Sequence, residues 1–275
     1  MTQDLESKVQ ELVKLIKQSG KCVVLTGAGA SVESGIPDFR GPEGTWKKYN
    51  PEISTASSFV LKPHQFWFFA IQFAGPLLRA EPNPIHKSLA ELEKMGYVSC
   101  IITQNIDGLH QKAGSRNVIE LHGTAWRSVC VNCGQKYSFE YVMTQMVPMC
   151  SLVPRCMWCG HILKPDAILF FEEIPQQLYQ QCLSELGDCD LLIVVGSTLL
   201  VEPSGSFPEM VKKRGKKVAI INLEKTWFDE NSDLVIIGNA SEILTRVVQQ
   251  IKNECEKASF TSSSECVPNK PLAKQ

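Results

Sequence analysis

Leu5, Val9, Leu12 and Ile16 recur at helical spacing with polar residues between them, so residues 4–18 read as an amphipathic helix. Gly20 ends it. Cys22, Val23, Val24, Leu25 and Thr26 then form a short apolar run up to Gly27, the pattern of a buried strand feeding a glycine turn. Strand-like runs return at 98–103, 190–196, 217–223 and 233–238, and helical periodicity occupies 84–95, 176–187, 205–213 and 240–252. Strands alternating with helices predict an α/β fold on a parallel sheet.

Two segments break the alternation. Residues 41–83 carry five prolines (Pro42, Pro51, Pro63, Pro76 and Pro82) and an aromatic cluster of Phe59, Phe66, Trp67, Phe68, Phe69 and Phe73. They read as an inserted helical lobe with a core of its own, the aromatics being its packing. Residues 123–162 hold two C-x-x-C pairs. From Asn253 onward the chain is polar, Ser-rich over 261–265 and without period, so a disordered tail is expected.

The composition narrows the class. The 275 residues allow one large domain plus a smaller module, and 44% hydrophobic content supports a sizeable core. With 28 basic and 29 acidic side chains the net charge is −1, which argues against a nucleic-acid coat or a polybasic membrane anchor. No apolar run of about 18 residues predicts a membrane span, and Met1-Thr2-Gln3-Asp4 does not open a secretory signal. Eleven cysteines, an odd number with four in C-x-x-C pairs, favour metal binding over a disulfide framework. A reducing compartment is expected, the cytoplasm first and the nucleus as the alternative. Lys212, Lys213, Arg214, Lys216 and Lys217 read as a helix end entering a strand rather than a nuclear address.

Gly27, Ala28, Gly29 and Ser31 follow the first strand, where a tight glycine turn frees backbone N–H groups for an anion. No Gly-Lys-Ser/Thr follows, and the third glycine of a dinucleotide fingerprint would fall at Val32. A variant nucleotide site and a turn without ligand both remain open. Asp38, Phe39 and Arg40 lie on the next loop, an acid, an aromatic and a cation able to shield a charged ligand. Gln104, Asn105, Ile106 and Asp107 follow the 98–103 run, and ligands of open α/β sheets sit beyond strand carboxyl ends. Asn and Asp there suit a carboxamide or simply start a turn. His122 closes the apolar stretch 118–121 and is a candidate base near neutral pH. His86 and His110 on predicted helices, and His64 and His161 without a motif, read as structural.

Cys130-x-x-Cys133 and Cys156-x-x-Cys159 make two knuckles, the spacing of a four-thiolate zinc site. Four thiolates close the shell, so the expected zinc is structural, one ion per chain. Cys150 stands outside the pairs, Cys22, Cys100, Cys182 and Cys189 read as small packing residues, and Cys255 and Cys266 have no motif.

Taken in order, Gly-Ala-Gly-Ala-Ser…Ser-Gly-Ile-Pro-Asp-Phe-Arg (27–40), Thr-Gln-Asn-Ile-Asp (103–107), His122-Gly123 and the two cysteine pairs closely resemble the sirtuins, the NAD-dependent protein lysine deacylases. The resemblance extends over about 8–252, with further matches at Lys164-Pro165-Asp166, Phe170-Phe171, Gly196-Ser197-Thr198-Leu199, Val201, Pro203 and Asn222-Leu223-Glu224. It implies a Rossmann-like NAD domain (1–40, 84–122 and 163–252) and a smaller inserted domain that joins a helical module (41–83) to a zinc ribbon (123–162). It further implies that Ala28, Gly29 and Ser197 hold the pyrophosphate region of NAD, that Gly27, Ser31, Gly196 and Thr198 are further cofactor contacts, and that Gln104 meets a ribose. Asn105 and Asp107 would hold the nicotinamide carboxamide, Phe39 would guard the reactive sugar carbon with Arg40 beside it, and Asp38 and Ile106 would be further cofactor contacts. Asn222, Leu223, Glu224 and Ala240 would line the adenosine. His122 would be the general base, and an acyl-lysine peptide would lie extended between Phe171 and Val201. In the reaction so implied nicotinamide leaves, the acyl oxygen attacks the ribose carbon, and the histidine activates a ribose hydroxyl. Water then releases 2′-O-acyl-ADP-ribose and free lysine. The implied partners are NAD and acylated-lysine proteins, with a monomer expected and neither membrane nor nucleic acid.

Two departures from the family pattern carry expectations. The family's Phe-Gly-Glu is met here by Phe171-Glu172-Glu173, so Glu172 stands at a glycine and the paired acids predict basic residues flanking the substrate lysine. The Tyr-x-x-Arg pair of sirtuins that remove acidic acyl groups is absent after Trp67, where Phe68 to Phe73 include no arginine, so neutral acyl groups are expected. ADP-ribosyl transfer at the same site, a non-catalytic zinc-ribbon binder and a hydride-transferring oxidoreductase are the competing classes. His122, the neutral charge and the missing fingerprint weigh against them in turn.

Overall fold

In a computed structural model, described for residues 2–41, 44–146 and 153–261, the alternating patterns become a doubly wound sheet. Helix α1 (Thr2–Gln18) leads into β1 (Cys22–Thr26). After a 3₁₀ segment at Ala28–Ser34 come α2 (Ala56–Leu61), α3 (Pro63–Arg79) and α4 (Pro84–Lys94). Then follow β2 (Val98–Thr103), the short α5 (Leu109–Lys112), β3 (Val118–Glu120), β4 (Gly123–Cys130), β5 (Lys136–Ser138), α6 (Phe139–Met146) and β6 (Leu163–Ala167). The last stretch is α7 (Gln176–Asp188), β7 (Leu191–Val195), α8 (Phe207–Lys213), β8 (Lys217–Asn222), β9 (Leu234–Ile237) and α9 (Ala240–Thr261).

The six parallel strands run in the order β3-β2-β1-β7-β8-β9. Every residue of β1 and β7 is buried, because helices cover both faces. Alternate side chains therefore feed two cores. Val24, Ile101 and Ile193 face Leu12 and Ile16 of α1, Leu89 and Leu92 of α4, and Leu244 and Val247 of α9. Val23, Ile102 and Val194 face Leu186 of α7 and Phe207 and Val211 of α8.

The two inserts pack as one unit. Phe59, Phe66 and Trp67 share a cluster with Cys130, Tyr137, Val142, Cys156 and Leu163, and Trp67 Nε1 donates to Leu163 O at 3.1 Å. The helical lobe therefore shares part of its core with the ribbon, while Phe69 packs within the lobe on Trp46, Tyr49 and Phe73. The ribbon also reaches further than 162: β6 pairs antiparallel with β4, Cys130 opposite Leu163 and Gly123 opposite Ala167. At the carboxyl end, residues 253–261 are helical rather than disordered. Helix α9 continues past 252 to Thr261, with Cys255 packed on the core and Glu254 paired to Lys17 at 2.6 Å. Over 253–257 the half-buried residues are Glu254 and Cys255, with exposed residues on either side. Residues 262–275 lie outside the described residues.

Candidate functional site

The strand order reverses its direction of growth between β1 and β7, and there the two glycine loops meet. Gly27 N donates to Val195 O and Gly29 N to Gly196 O, at 3.1 and 2.9 Å. A Cβ at Gly27 would stand 2.8 Å from Gly196 O and from Ser197 Cβ, and one at Gly29 2.8 Å from Gly196 O. These glycines are therefore required by the interlock of the two loops, in addition to any ligand. Ala28 is half-buried and Thr198 is exposed.

β2 delivers its polar residues to the same edge. Gln104 Nε2 donates to Ser197 Oγ at 2.9 Å, joining the two crevice walls. Asn105 Nδ2 donates to Ser31 Oγ (3.0 Å) and Gly27 O (3.1 Å), and Ser31 Oγ donates to Asp107 Oδ2 at 2.6 Å. Asp107 Oδ1 caps Leu109 N at 2.9 Å, and Ile106 O accepts from Ala125 N. Ser31, Asn105 and Asp107 are all buried, so one connected network replaces the open turn that Asn and Asp alone would suggest.

Behind this network lie two histidines that the sequence reading treats as structural. His86 closes a capping box with Asn83, whose N–H meets Nδ1 at 3.3 Å, and its Nε2 faces Ser31 Oγ at 3.5 Å. His110 Nε2 meets Thr26 Oγ1 at 2.9 Å, and the two rings pack edge to face, centroids 4.8 Å apart. Burial pushes His86 down to about 4, against the nearby Asp107, and His110 down to about 3, with His86 adding to the effect. Both rings are neutral at physiological pH. The Asn-Pro-x-His spacing at 83–86 signals a cap, which is why its second contact was not legible.

His122 stands between β3 and β4, half-buried, with Nδ1 3.0 Å from Gln104 O. Burial lowers its pKa below the usual imidazole value, and the Gln104 carbonyl opposes the shift. Gly123 follows with φ 74°, where a Cβ would press on Asp166 O. Phe39 stacks on Trp46 at 5.1 Å, and Trp46 meets Phe170 edge-on at 5.8 Å. Asp38 uses Oδ1 to accept from Gly41 N at 2.9 Å, so its carboxylate shapes the loop, while Arg40 is exposed. On the far side Asn222 ends β8 and donates to Glu224 O at 2.9 Å; Leu223 and Glu224 are exposed and Ala240 opens α9. Glu33 ties the glycine turn to α9 by accepting from Asn239 Nδ2 (2.8 Å) and Ser241 Oγ (2.6 Å), a link no motif announced.

The substrate-side expectation changes. Phe171 has φ 65°, whereas Glu172 is not among the left-handed residues. The glycine-type backbone therefore falls at Phe171, and Phe170-Phe171-Glu172 is the register that fits Phe-Gly-Glu. Glu172 pairs with Lys164 at 3.0 Å and accepts from Leu169 N at 2.9 Å. Its charge is satisfied within the chain, which removes the basis for two free acids selecting basic flanking residues. Val201, on the other loop, is half-buried and its carbonyl accepts from Gly205 N at 2.8 Å.

Cys130, Cys133, Cys156 and Cys159 bring their sulfurs within 4.8 Å of one another, with Cys130–Cys159 at 3.4 Å and Cys133–Cys156 at 3.6 Å. These separations are far beyond a disulfide and close to the roughly 3.8 Å between thiolates sharing a tetrahedral zinc at about 2.3 Å. Tyr137 Oη, itself accepting from Met157 N, lies 3.0 Å from Cys156 Sγ and orients it. The donor set fits a closed, structural zinc.

The profile of the Sir2 family matches residues 27–203. The chain is 42% identical over 250 residues to NAD-dependent protein deacylase 2 of Archaeoglobus fulgidus, covering 90% of this chain and 98% of that one. It is 45% identical over 250 residues to the NAD-dependent protein deacetylase of Saccharolobus solfataricus, again covering 90% and 98%. A solved Sir2 histidine variant with a deacetylated p53 peptide and 3′-O-acetyl ADP ribose superposes with a TM-score of 0.85 at 39% identity, covering 88% of this chain and 98% of that one.

Proposed function

The chain belongs to the Sir2 family, and from that premise we propose that it is an NAD-dependent protein lysine deacylase that moves a neutral acyl group, acetyl or longer, from lysine to ADP-ribose. The observation that carries this reading is His122. Its Nδ1–H is committed to the Gln104 carbonyl, which leaves Nε2 as a basic lone pair beside the crevice. Asn105 and Asp107, held by Ser31, orient the carboxamide of the leaving nicotinamide. The interlocked loops at Gly29 and Ser197 cradle the pyrophosphate. Breaking the glycosidic bond builds positive charge on the sugar, which fixed dipoles in a water-poor cleft stabilise. The acyl oxygen bonds to the sugar carbon that nicotinamide leaves, His122 Nε2 takes a proton from a ribose hydroxyl whose oxygen adds to the acyl carbon, and water completes release of 2′-O-acyl-ADP-ribose and lysine. The four cysteines hold one structural zinc that keeps the ribbon folded.

A monomer in a reducing compartment such as the cytoplasm is part of the proposal, and that compartment suits the five cysteines outside the zinc set, none of which is in a disulfide among the described residues. No helix of the described residues is long and apolar enough to cross a membrane. Mass spectrometry of an acetyl-lysine peptide with and without NAD tests the assignment. Loss of acetyl only with NAD, with O-acetyl-ADP-ribose appearing, is expected. ADP-ribose attached to protein with the acetyl group intact would overturn it in favour of transferase activity.

A further inference from the structure

Among the described residues, two non-glycine residues hold positive φ: Leu199 at 57° and Phe171 at 65°. A side chain in that region costs conformational free energy, which persists only where the surroundings impose it. Leu199 recovers the cost by complete burial in the core beneath α8. Phe171 recovers nothing within its own chain, because it is 94% exposed.

The strain at Phe171 is imposed from several sides. Glu172 N closes the turn onto Leu169 O at 3.0 Å, and the Glu172 carboxylate locks it to Leu169 N and Lys164. Phe170 N donates to Ser54 O and Phe170 O accepts from Ala56 N, at 3.2 and 3.1 Å, while its ring abuts Trp46. The turn is thus fastened on both flanks, and its tip presents a bare phenyl ring.

That tip belongs to the cleft. Ile168 N donates to the carbonyl of His122 at 2.8 Å. Three Cα steps of about 3.8 Å then hold Phe171 within roughly 11 Å of Ile168. Through Trp46 the same turn touches Phe39 on the cofactor side. Leu200, next to Val201 on the loop that the family resemblance places across the peptide, is a second exposed apolar residue. An extended peptide between these loops presents its side chains alternately, so a ring at the rim meets a residue neighbouring the lysine rather than the lysine itself.

We propose, on the deacylase reading above, that Phe171 is a specificity-determining residue whose ring takes an apolar side chain flanking the acylated lysine. Charge is not what it selects, since Glu172 is already paired. The test uses two acetyl-lysine peptides that differ only in leucine or serine on either side of the lysine, with the full chain, Phe171→Gly and Phe171→Leu. Binding is read by fluorescence polarisation and turnover by mass spectrometry. The wild type should prefer the leucine peptide by at least about fivefold in Kd and in kcat/KM. Phe171→Gly should bring both ratios close to one while raising Tm, because glycine accepts the left-handed backbone, and Phe171→Leu should keep most of the preference. Equal binding of the two peptides by the wild type, or an unchanged ratio in Phe171→Gly, overturns the proposal. A leucine preference in binding that vanishes in Phe171→Gly, with no turnover of either peptide, supports Phe171 and sinks the deacylase reading instead.

Discussion

His122 Nδ1 lies 3.0 Å from the main-chain oxygen of Gln104, and a carbonyl oxygen can only accept. The Nδ1 position therefore carries the proton, and Nε2 is the basic nitrogen. Gln104 in turn donates to Ser197, so one residue both sets the tautomer of His122 and bridges the two sides of the crevice.

Burial keeps the neutral form of His122 dominant to lower pH than in free imidazole. The acidic limb of kcat/KM is expected below the ordinary value of 6.5. Replacing His122 by Ala should lower turnover by roughly 10²–10⁴-fold with NAD binding largely retained. A pH–rate series and calorimetric NAD titration of both proteins check this.

His86 and His110 are neutral in the folded chain, at about 4 and about 3, while their unfolded values lie near 6.5. The unfolded chain therefore binds more protons below pH 6.5, so stability is complete above that pH and falls as pH drops towards 4. Each histidine contributes a slope of about 1.4 kcal/mol per pH unit in that window. Urea unfolding between about pH 7 and pH 5 should show this loss, and His110→Gln should reduce the slope by about one proton.

The hydroxyl of Ser31 both donates to Asp107 and accepts from Asn105. Ser31→Ala would leave two buried polar groups short of a partner, at about 1–3 kcal/mol each. Exchange of labelled nicotinamide into NAD should fall by at least about tenfold in this variant, with less effect on the KM of the acyl peptide. An undiminished exchange rate would remove the network from nicotinamide handling.

Cys130→Ser should lose zinc and loosen the whole inserted unit, since Cys130 belongs to the same core as Phe66 and Trp67. Metal analysis should show less than one zinc per chain, and tryptophan fluorescence should shift to the red. Zinc retained in full would show that the ligands are other residues.

Helix α3 presents no arginine between Trp67 and Phe73. An acetylated peptide should therefore be turned over at least about tenfold faster than its succinylated counterpart, for which a buried carboxylate would find no cation. Competition between the two peptides in one reaction, followed by mass spectrometry, measures the ratio directly.

Much of this protein is local in origin. The runs 22–26 and 98–103 are β1 and β2 to the residue, because a short apolar segment between turn residues admits few alternatives. The C-x-x-C pairs specify their metal chemistry by spacing, and the polar residues at strand ends mark the site edge. Tertiary structure decided the rest. Gly27 meets Ser197 only because β1 pairs with β7, a partner 169 residues further along the chain, and no periodicity encodes which strand lies alongside. His86 lies behind Ser31 because α4 docks on the sheet, and Tyr137 reaches Cys156 from β5, which pairs with β4 within the ribbon. Phe171 occupies glycine's backbone because Phe170 and Glu172 are anchored to different neighbours. Patterns of polarity state what a segment buries; the residue it buries against depends on contacts distant in sequence, which only the folded chain brings together.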